Sequence, residues 1–247
     1  MSYLLTSRTV LQFNGGNGLE TLFQGLFTAD IKKIKQNGFC FSALLNRKGR
    51  FLFDFFIYRK EKDFFIDIDS GAAQGFADIV KKYDLLEEVN IGILESLWKV
   101  EVEENFLDNW KRGIFEGRKI ISSLVSLEEY KTENDYNLQR IRLCLPEGKA
   151  ELISGKSIIL EHRYEEAKGI DFDKGCYVGQ ELMTIIKRRG EVRKATYCLE
   201  GNAPPRESET LTLLSSFNNF HLILGYKADF ENSKTIEIDS IIYKIYK

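Results

Sequence analysis

The sequence predicts an α+β fold that ends in a small all-β unit. Three observations carry this reading. Strand-like and helix-like apolar periods alternate through residues 1–100. Asn46-Arg-Lys-Gly-Arg joins two apolar runs with the polar, glycine-bearing residues a hairpin loop needs. Beyond Asn202-Ala-Pro-Pro-Arg, where two prolines interrupt regular structure, every apolar run is short and strand-like.

In order along the chain, Val10, Gln12 and Asn14 alternate with Leu11 and Phe13 as an opening strand. Leu19, Leu22, Phe23 and Leu26 then fall at i, i+3, i+4 and i+7, one stripe of a helix started by Asn17 or Gly18. Residues 39–45 and 51–58 read as a hairpin, and 64–68 as a third strand. On that second strand Phe51, Phe53 and Phe55 share one face by simple alternation, a stripe that reads first as core. Ala72, Phe76, Ile79, Val80 and Tyr83 recur at helical spacing. Leu97, Val100 and Val102 suggest a further strand and residues 103–112 a short helix, while the apolar, β-branched run 120–127 stays open between the two. Residues 195–199, 211–214, 220–227, 235–238 and 241–246 complete the C-terminal strands. The expected division is 1–100, 101–194 and 195–247, the first two exchanging segments.

Composition excludes several classes. The 35 Lys and Arg against 37 Asp and Glu leave a net charge of −2, which is not the balance of a protein that coats nucleic acid. With 43% hydrophobic and 29% charged residues, wholesale disorder is excluded. Charges cut every apolar run, as Asp54 cuts 51–58, so no membrane span is expected. Cys40, Cys144, Cys176 and Cys198 form no C-x-x-C and have no histidine at zinc-ligand spacing, so neither a stable metal site nor a disulfide framework is expected. With no signal peptide visible, the expectation is an intracellular protein with reduced thiols. His162 and His221 stand alone and read as ordinary surface or core residues.

The most unusual stretch is Asp173-Lys-Gly-Cys-Tyr-Val-Gly-Gln-Glu, residues 173–181. Glycines on either side of Cys176-Tyr177 allow a sharp turn or a close backbone approach. A thiol beside Lys174 reads either as a low-pKa nucleophile or metal ligand, or as a buried, inert cysteine. After it, Lys187-Arg-Arg-Gly-Glu-Val-Arg-Lys concentrates positive charge, a patch for an acidic partner, a polyglutamate tail or RNA phosphate, or simply a solvated face. That run lacks the interleaved aromatics of a single-strand RNA platform.

Gly169-Ile-Asp-Phe-Asp-Lys-Gly-Cys-Tyr-Val-Gly-Gln-Glu closely resembles the signature of the YgfZ family, and Arg189-Gly190 continues it. Residues 8–30, Ala43-Leu-Leu-Asn-Arg-Lys-Gly-Arg-Phe-Leu-Phe-Asp and residues 136–146 resemble further segments of that family. Its members are folate-binding proteins related to the glycine-cleavage aminomethyltransferase and linked to iron–sulfur cluster assembly and repair. The resemblance implies an aminomethyltransferase-like fold around a central channel, with a barrel-like C-terminal domain. It implies tetrahydrofolate or a derivative as ligand, held by Asp54, Tyr136, Arg140, Gly175, Tyr177, Gly179, Gln180, Glu181 and Arg189. It implies a functional thiol at Cys176 with Lys174, and Cys176 as a transient cluster ligand shared with a partner. Partners would be iron–sulfur assembly proteins, with RNA contact through Lys187 to Lys194, in a bacterial cytoplasm or a mitochondrial matrix. Two further readings are a tetrahydrofolate-dependent aminomethyltransferase and a non-catalytic scaffold in tRNA modification.

The sequence also departs from the family. Where the aminomethyltransferases carry two adjacent aspartates, the first catalytic, this chain reads Phe53-Asp54. A phenyl ring relays no proton, which counts against aminomethyl transfer. Arg142 stands where the parent enzymes place a pterin-binding Glu, Cys144 where the family usually has Gly, and Ile185 where an Arg commonly follows.

Overall fold

The computed structural model describes residues 2–14, 18–35, 38–85, 89–93, 98–111, 116–122, 130–148, 150–190 and 192–247. In chain order the elements are β1 (Ser2–Leu5), β2 (Arg8–Asn14), α1 (Gly18–Leu26), β3 (Phe39–Leu45), β4 (Phe51–Lys60), β5 (Asp63–Asp69), α2 (Ala73–Tyr83), β6 (Asn90–Ile93) and β7 (Trp98–Glu103). There follow α3 (Phe106–Lys111), β8 (Arg118–Ser122), α4 (Glu133–Arg142), α5 (Gln180–Arg189), β9 (Lys194–Glu200), β10 (Leu211–Phe217) and β11 (Phe220–Tyr226). The last are α6 (Lys227–Phe230), β12 (Thr235–Ile238) and β13 (Ile241–Tyr246).

The predicted hairpin and meander form a five-stranded antiparallel sheet in the order β3-β4-β5-β2-β6. Alternation divides its side chains between two cores. Phe55, Ile57, Phe64, Ile66 and Ile68 face α1 and α2, meeting Phe23, Leu26, Phe76 and Val80. Phe41, Ala43 and Phe56 face the other way, toward Trp110, Tyr136 and Tyr164. Each large apolar side chain so buried contributes about 1.5–3 kcal/mol.

One expectation fails here. Phe51 does not share a face with Phe53 and Phe55. Leu44 pairs with Phe53 but Leu45 with Phe51, so β4 carries one extra residue at a β-bulge. The slip turns Phe51 into the core that holds Phe41, while Phe53 and Phe55 stay with α2.

The first strand, β1, belongs to a second, three-stranded sheet with β7 and β8. α3 is shorter than the 103–112 run suggested, and Arg112 lies outside the described residues. β8 takes residues 120–122 of the open run, while 123–127, Asn17 and Leu97 lie outside the described residues. No apolar period announces α4, a polar helix started by a capping box in which Thr132 and Asp135 exchange hydrogen bonds.

The C-terminal runs form strands, as their pattern predicts, but the strands do not close. Their order is β10-β11-β9-β13-β12, an open sheet, so the barrel-like expectation is corrected to a five-stranded open layer. β10 and β12 remain its edges because each pairs with a single neighbour. Among the described residues no helix is long and apolar enough to cross a membrane.

Candidate functional site

The signature loop lies across the C-terminal end of α1. A helix ends with carbonyls that lack intrahelical partners and carry partial negative charge. Lys174 answers them: its Nζ donates to the carbonyls of Gln24, Phe27 and Ala29 at 2.8, 2.6 and 2.9 Å. Burial pulls this ammonium down to about 8, against the nearby carboxylates of Asp30 and Asp171, which hold it up. With three N–H groups on backbone oxygens, Lys174 has no donor left for Cys176. The Val178 amide donates to the Gly25 carbonyl at 3.0 Å, and Thr28 Oγ1 donates to that of Gly169 at 2.6 Å.

The other side of the loop is fixed by close packing. Gly179 has φ +84°, and a Cβ there would sit 2.5 Å from the Asn46 carbonyl oxygen and 3.0 Å from Gly49 Cα. Gly49, at the hairpin tip with φ +71°, is equally tight against Leu182 and the Gly179 carbonyl. The Asn46-Arg-Lys-Gly loop and the signature therefore interlock glycine to glycine. Gly179 also caps α5, whose first residues are Gln180 and the exposed Glu181.

Between these anchors the payload faces solvent. Lys174 and Tyr177 are buried, whereas Gly175 and Cys176 are exposed, and a Cβ on Gly175 would meet nothing within 4 Å. All four cysteines are free. Cys144 and Cys198 are buried, and burial pushes their thiols and that of half-buried Cys40 upward, Cys40 to about 12. Beside the loop lies a cleft of about 850 Å³ lined by Asp171, Phe172 and Asp173 together with Cys40, Lys33 and Lys187; Lys33 is bonded to Asp171, and Lys187 lies over the Phe172 ring.

Asp54, Tyr136 and Arg140 belong to a second region. Asp67 is ion-paired with Arg8, and with Arg118 at 2.7 Å; Glu147 takes Arg8 at 2.6 Å and the Tyr136 hydroxyl at 2.7 Å. Arg140 holds Glu151 bidentately at 2.7 and 2.8 Å, and Ser215 of β10 donates to the same carboxylate at 2.6 Å. Burial pushes Glu147 upward, but Arg8, Arg118 and Arg140 outweigh it and hold the carboxyl below its usual value. Asp54 goes the other way. Burial raises it to about 6, although its Oδ2 accepts from the Gly148 amide and the Tyr164 hydroxyl, both at 2.8 Å.

Two adjoining cavities open on this region. One of about 260 Å³ is lined by Arg8, Tyr136, Arg140 and Glu147, and one of about 210 Å³ by Phe53, Asp54, Gly75 and Ser154; Asp69 lines both. Residues 174–181 and Arg189 line neither. The structure thus separates the expected site residues into a thiol loop and a charged cleft. Arg8, Asp67, Glu147, Glu151 and Tyr164 were missed, yet Asp67 carried a signal: it sits in phase with Phe65, where an inward charge demands a partner.

The departures have physical correlates. Cys144 has φ +59°, a left-handed conformation that favours the glycine usual there, and its Sγ lies 3.2 Å from the Tyr246 carbonyl. Arg142 lies over the Phe220 ring at 5.0 Å. Phe53 meets Phe76 edge-on at 5.8 Å. Ile185 is exposed on α5. His162 and His221 are both buried; burial pulls His162 down to about 4, and His221 bonds Ser216 and the Gly201 carbonyl. The basic run divides between the end of α5 and the start of β9; Lys187 pairs with Glu165, and Glu191 lies outside the described residues.

No family model matches the chain. It is 30% identical over 240 residues to a Neurospora crassa protein named iron-sulfur cluster assembly factor IBA57 homolog, mitochondrial, covering 81% of this chain and 54% of that protein. Proteins of the same name from Pyricularia oryzae and Dictyostelium discoideum are 28% and 25% identical, covering 77% and 78% of this chain and 54% and 60% of theirs. The chain spans about half the length of the curated relatives it matches. Among solved structures, the crystal structure of glycine cleavage system aminomethyltransferase T from Bartonella henselae superposes with a TM-score of 0.72 at 12% identity, covering 100% of this chain and 84% of that one. The fold is therefore aminomethyltransferase-like, with mixed α and β content and antiparallel sheets.

Proposed function

We propose that this chain is a folate-binding accessory protein of iron–sulfur cluster assembly whose working group is the Cys176 thiol. The observation that carries the reading is the mounting of Cys176: with Gly175 it is exposed, between Lys174 and Tyr177, which are both buried. Similarity to proteins named as iron–sulfur cluster assembly factors supports the process. One thiolate does not hold a stable cluster, which takes four, so Cys176 would act with ligands from an assembly partner. Such chemistry needs a reducing compartment, and the word mitochondrial in the relatives' names supports a mitochondrial location over a bacterial cytoplasm.

The residues present fit a reduced folate at the charged cleft in part. Asp54 keeps Oδ1 without a hydrogen-bond partner among the described residues, which suits an N–H group, and Phe53 lines the same cavity, which suits the flat face of a pterin. Tyr136 and Arg140 would shape the cleft and not recognise the ligand directly, because Glu147 and Glu151 occupy their polar ends. Bound folate would supply one-carbon chemistry, but Phe53 offers no group to move a proton, so the ligand's role here is binding.

The test is functional replacement. In cells lacking this protein, the wild-type chain is expected to restore 4Fe–4S enzyme activity, and Cys176→Ala, expressed to the same level, is not. Full restoration by Cys176→Ala overturns the thiol role.

A further inference from the structure

Between the five-stranded sheet and β8 lies a cleft of about 460 Å³ that adjoins the cleft beside the thiol loop, sharing Gly38, Phe39 and Glu116 with it, and is separate from the charged cavities. Its floor is a cross-strand ladder. Phe39 of β3 stands opposite Tyr58 of β4, and Tyr58 stands opposite Phe65 of β5. Opposite residues share a sheet face, so the three aromatic side chains form one row. The Phe39 and Tyr58 rings are stacked, with centroids 5.0 Å apart and planes at 28°. Two residues further along the same face, Phe41 and Phe56 are fully buried, whereas the ladder itself is half-buried. The Tyr58 hydroxyl is buried, with Asp67 and Arg118 near it, so the cleft meets the ring and not the phenol.

The rim of this cleft is cationic. Lys60 is exposed and has no ion pair among the described residues. Lys119 pairs with Glu103 at 3.0 Å, a partly exposed and weak contact, whereas Arg59 turns to the other face of the sheet, over the Phe64 ring and beside Glu20. Glu116 is the carboxylate among the lining residues. The basic run at Lys187 lacks aromatic neighbours at sequence level; here the fold brings basic and aromatic side chains together from separate strands.

We propose that this cleft binds a nucleotide, its base against the Phe39–Tyr58–Phe65 ladder and its phosphate at Lys60 and Lys119. Aromatic faces accept any base, and a basic rim supplies the phosphate contact. Tyr58 and Lys60 lie two residues apart on one face, about 6.6 Å along the strand. That is the spacing at which a nucleotide sets its phosphate from its base, whereas a folate sets its carboxylates a benzoyl unit further away. The volume is also within the range of small-ligand pockets, roughly 300–1,000 Å³.

The experiment is calorimetry on the full chain with nucleoside monophosphates, the matching nucleosides, a short single-stranded RNA and tetrahydrofolate. At least one monophosphate is expected to bind, its nucleoside about tenfold more weakly. Lys60→Glu and Phe65→Leu are each expected to weaken binding about tenfold, with the circular dichroism and melting of Lys60→Glu unchanged and Cys176→Ala binding normally. RNA binding with the same dependence on Lys60, without monophosphate binding, supports the same chemistry from a polymer. The proposal is overturned if neither nucleotides nor RNA bind in the millimolar range, or if binding ignores both substitutions. Tetrahydrofolate bound here in place of nucleotides overturns it as well. None of these outcomes depends on whether Cys176 is the working thiol.

Discussion

The thiol loop and the charged cleft are built on opposite plans. In the loop, buried groups are satisfied so that one reactive group stays outside: Lys174 is consumed by three carbonyls, Gly179 by the hairpin, and Cys176 is left exposed. In the cleft almost every charge is consumed inside; Glu147 is held below its usual range by its arginines, while burial pushes Asp54 above its own. The contrast teaches that a run of motif residues is not a run of contact residues. The more demanding a residue's surroundings, the more it serves as mount and the less as payload.

The largest expected effect is in the cleft. Asp67→Asn leaves Arg8 and Arg118 buried beside an uncharged amide, and breaking a buried pair in this way costs about 3–5 kcal/mol. Urea unfolding measures it; a loss below about 1 kcal/mol would show that the network relaxes around the change.

Next comes the difference between two glycines of one motif. Gly179→Ala forces a Cβ to 2.5 Å from a backbone oxygen at φ +84°, with an expected loss of about 3 kcal/mol. Gly175→Ala meets open space, and its expected change is within about 0.5 kcal/mol. Equal effects at the two positions would erase the distinction between mount and payload.

A smaller effect is expected from pH. Asp54 is raised in the folded state to about 6, so the stability from burying it as the neutral acid is present below its unfolded value and lost as pH rises through about 6. Asp54→Asn can still accept from Gly148 and Tyr164. It is expected to gain stability over wild type progressively from about pH 4 to pH 6, reaching roughly 2 kcal/mol. His162 titrates with the opposite sign, since burial keeps it neutral to about 4 and its contribution is lost as pH falls. The variant-minus-wild-type difference isolates Asp54 from it.

Much of the frame was legible in the sequence. Alternation marked β2, apolar runs between polar loops marked β3 to β5 and β9 to β13, and 3.6-residue spacing marked α1 and α2, helices that each bury one clear face. The Phe51 assignment failed because a bulge shifts register by one residue, and a composition that is phenylalanine-rich on both faces hides the slip. α4 was invisible because it is polar; its buried residues include Tyr136 and Arg140, which no apolar period reveals. β1 pairs with β7, a contact between distant segments that local spacing does not encode. At the site, the signature located the thiol, but the division of labour within it depends on α1 carbonyls and on a glycine of another loop. Closure of the C-terminal sheet was not encoded in its strands either, since strand count does not fix whether the two edges meet.

The central claim, that the signature is a mount with Cys176 as its payload, is tested most directly by timed thiol alkylation of the native protein, read by peptide mass spectrometry. The expected result is fast modification of Cys176, with Cys144 and Cys198 labelled only on unfolding and half-buried Cys40 slower than Cys176. Gly179→Ala should change the Cys176 rate and Gly175→Ala should not. Labelling of Cys176 no faster than of the buried cysteines would contradict the account.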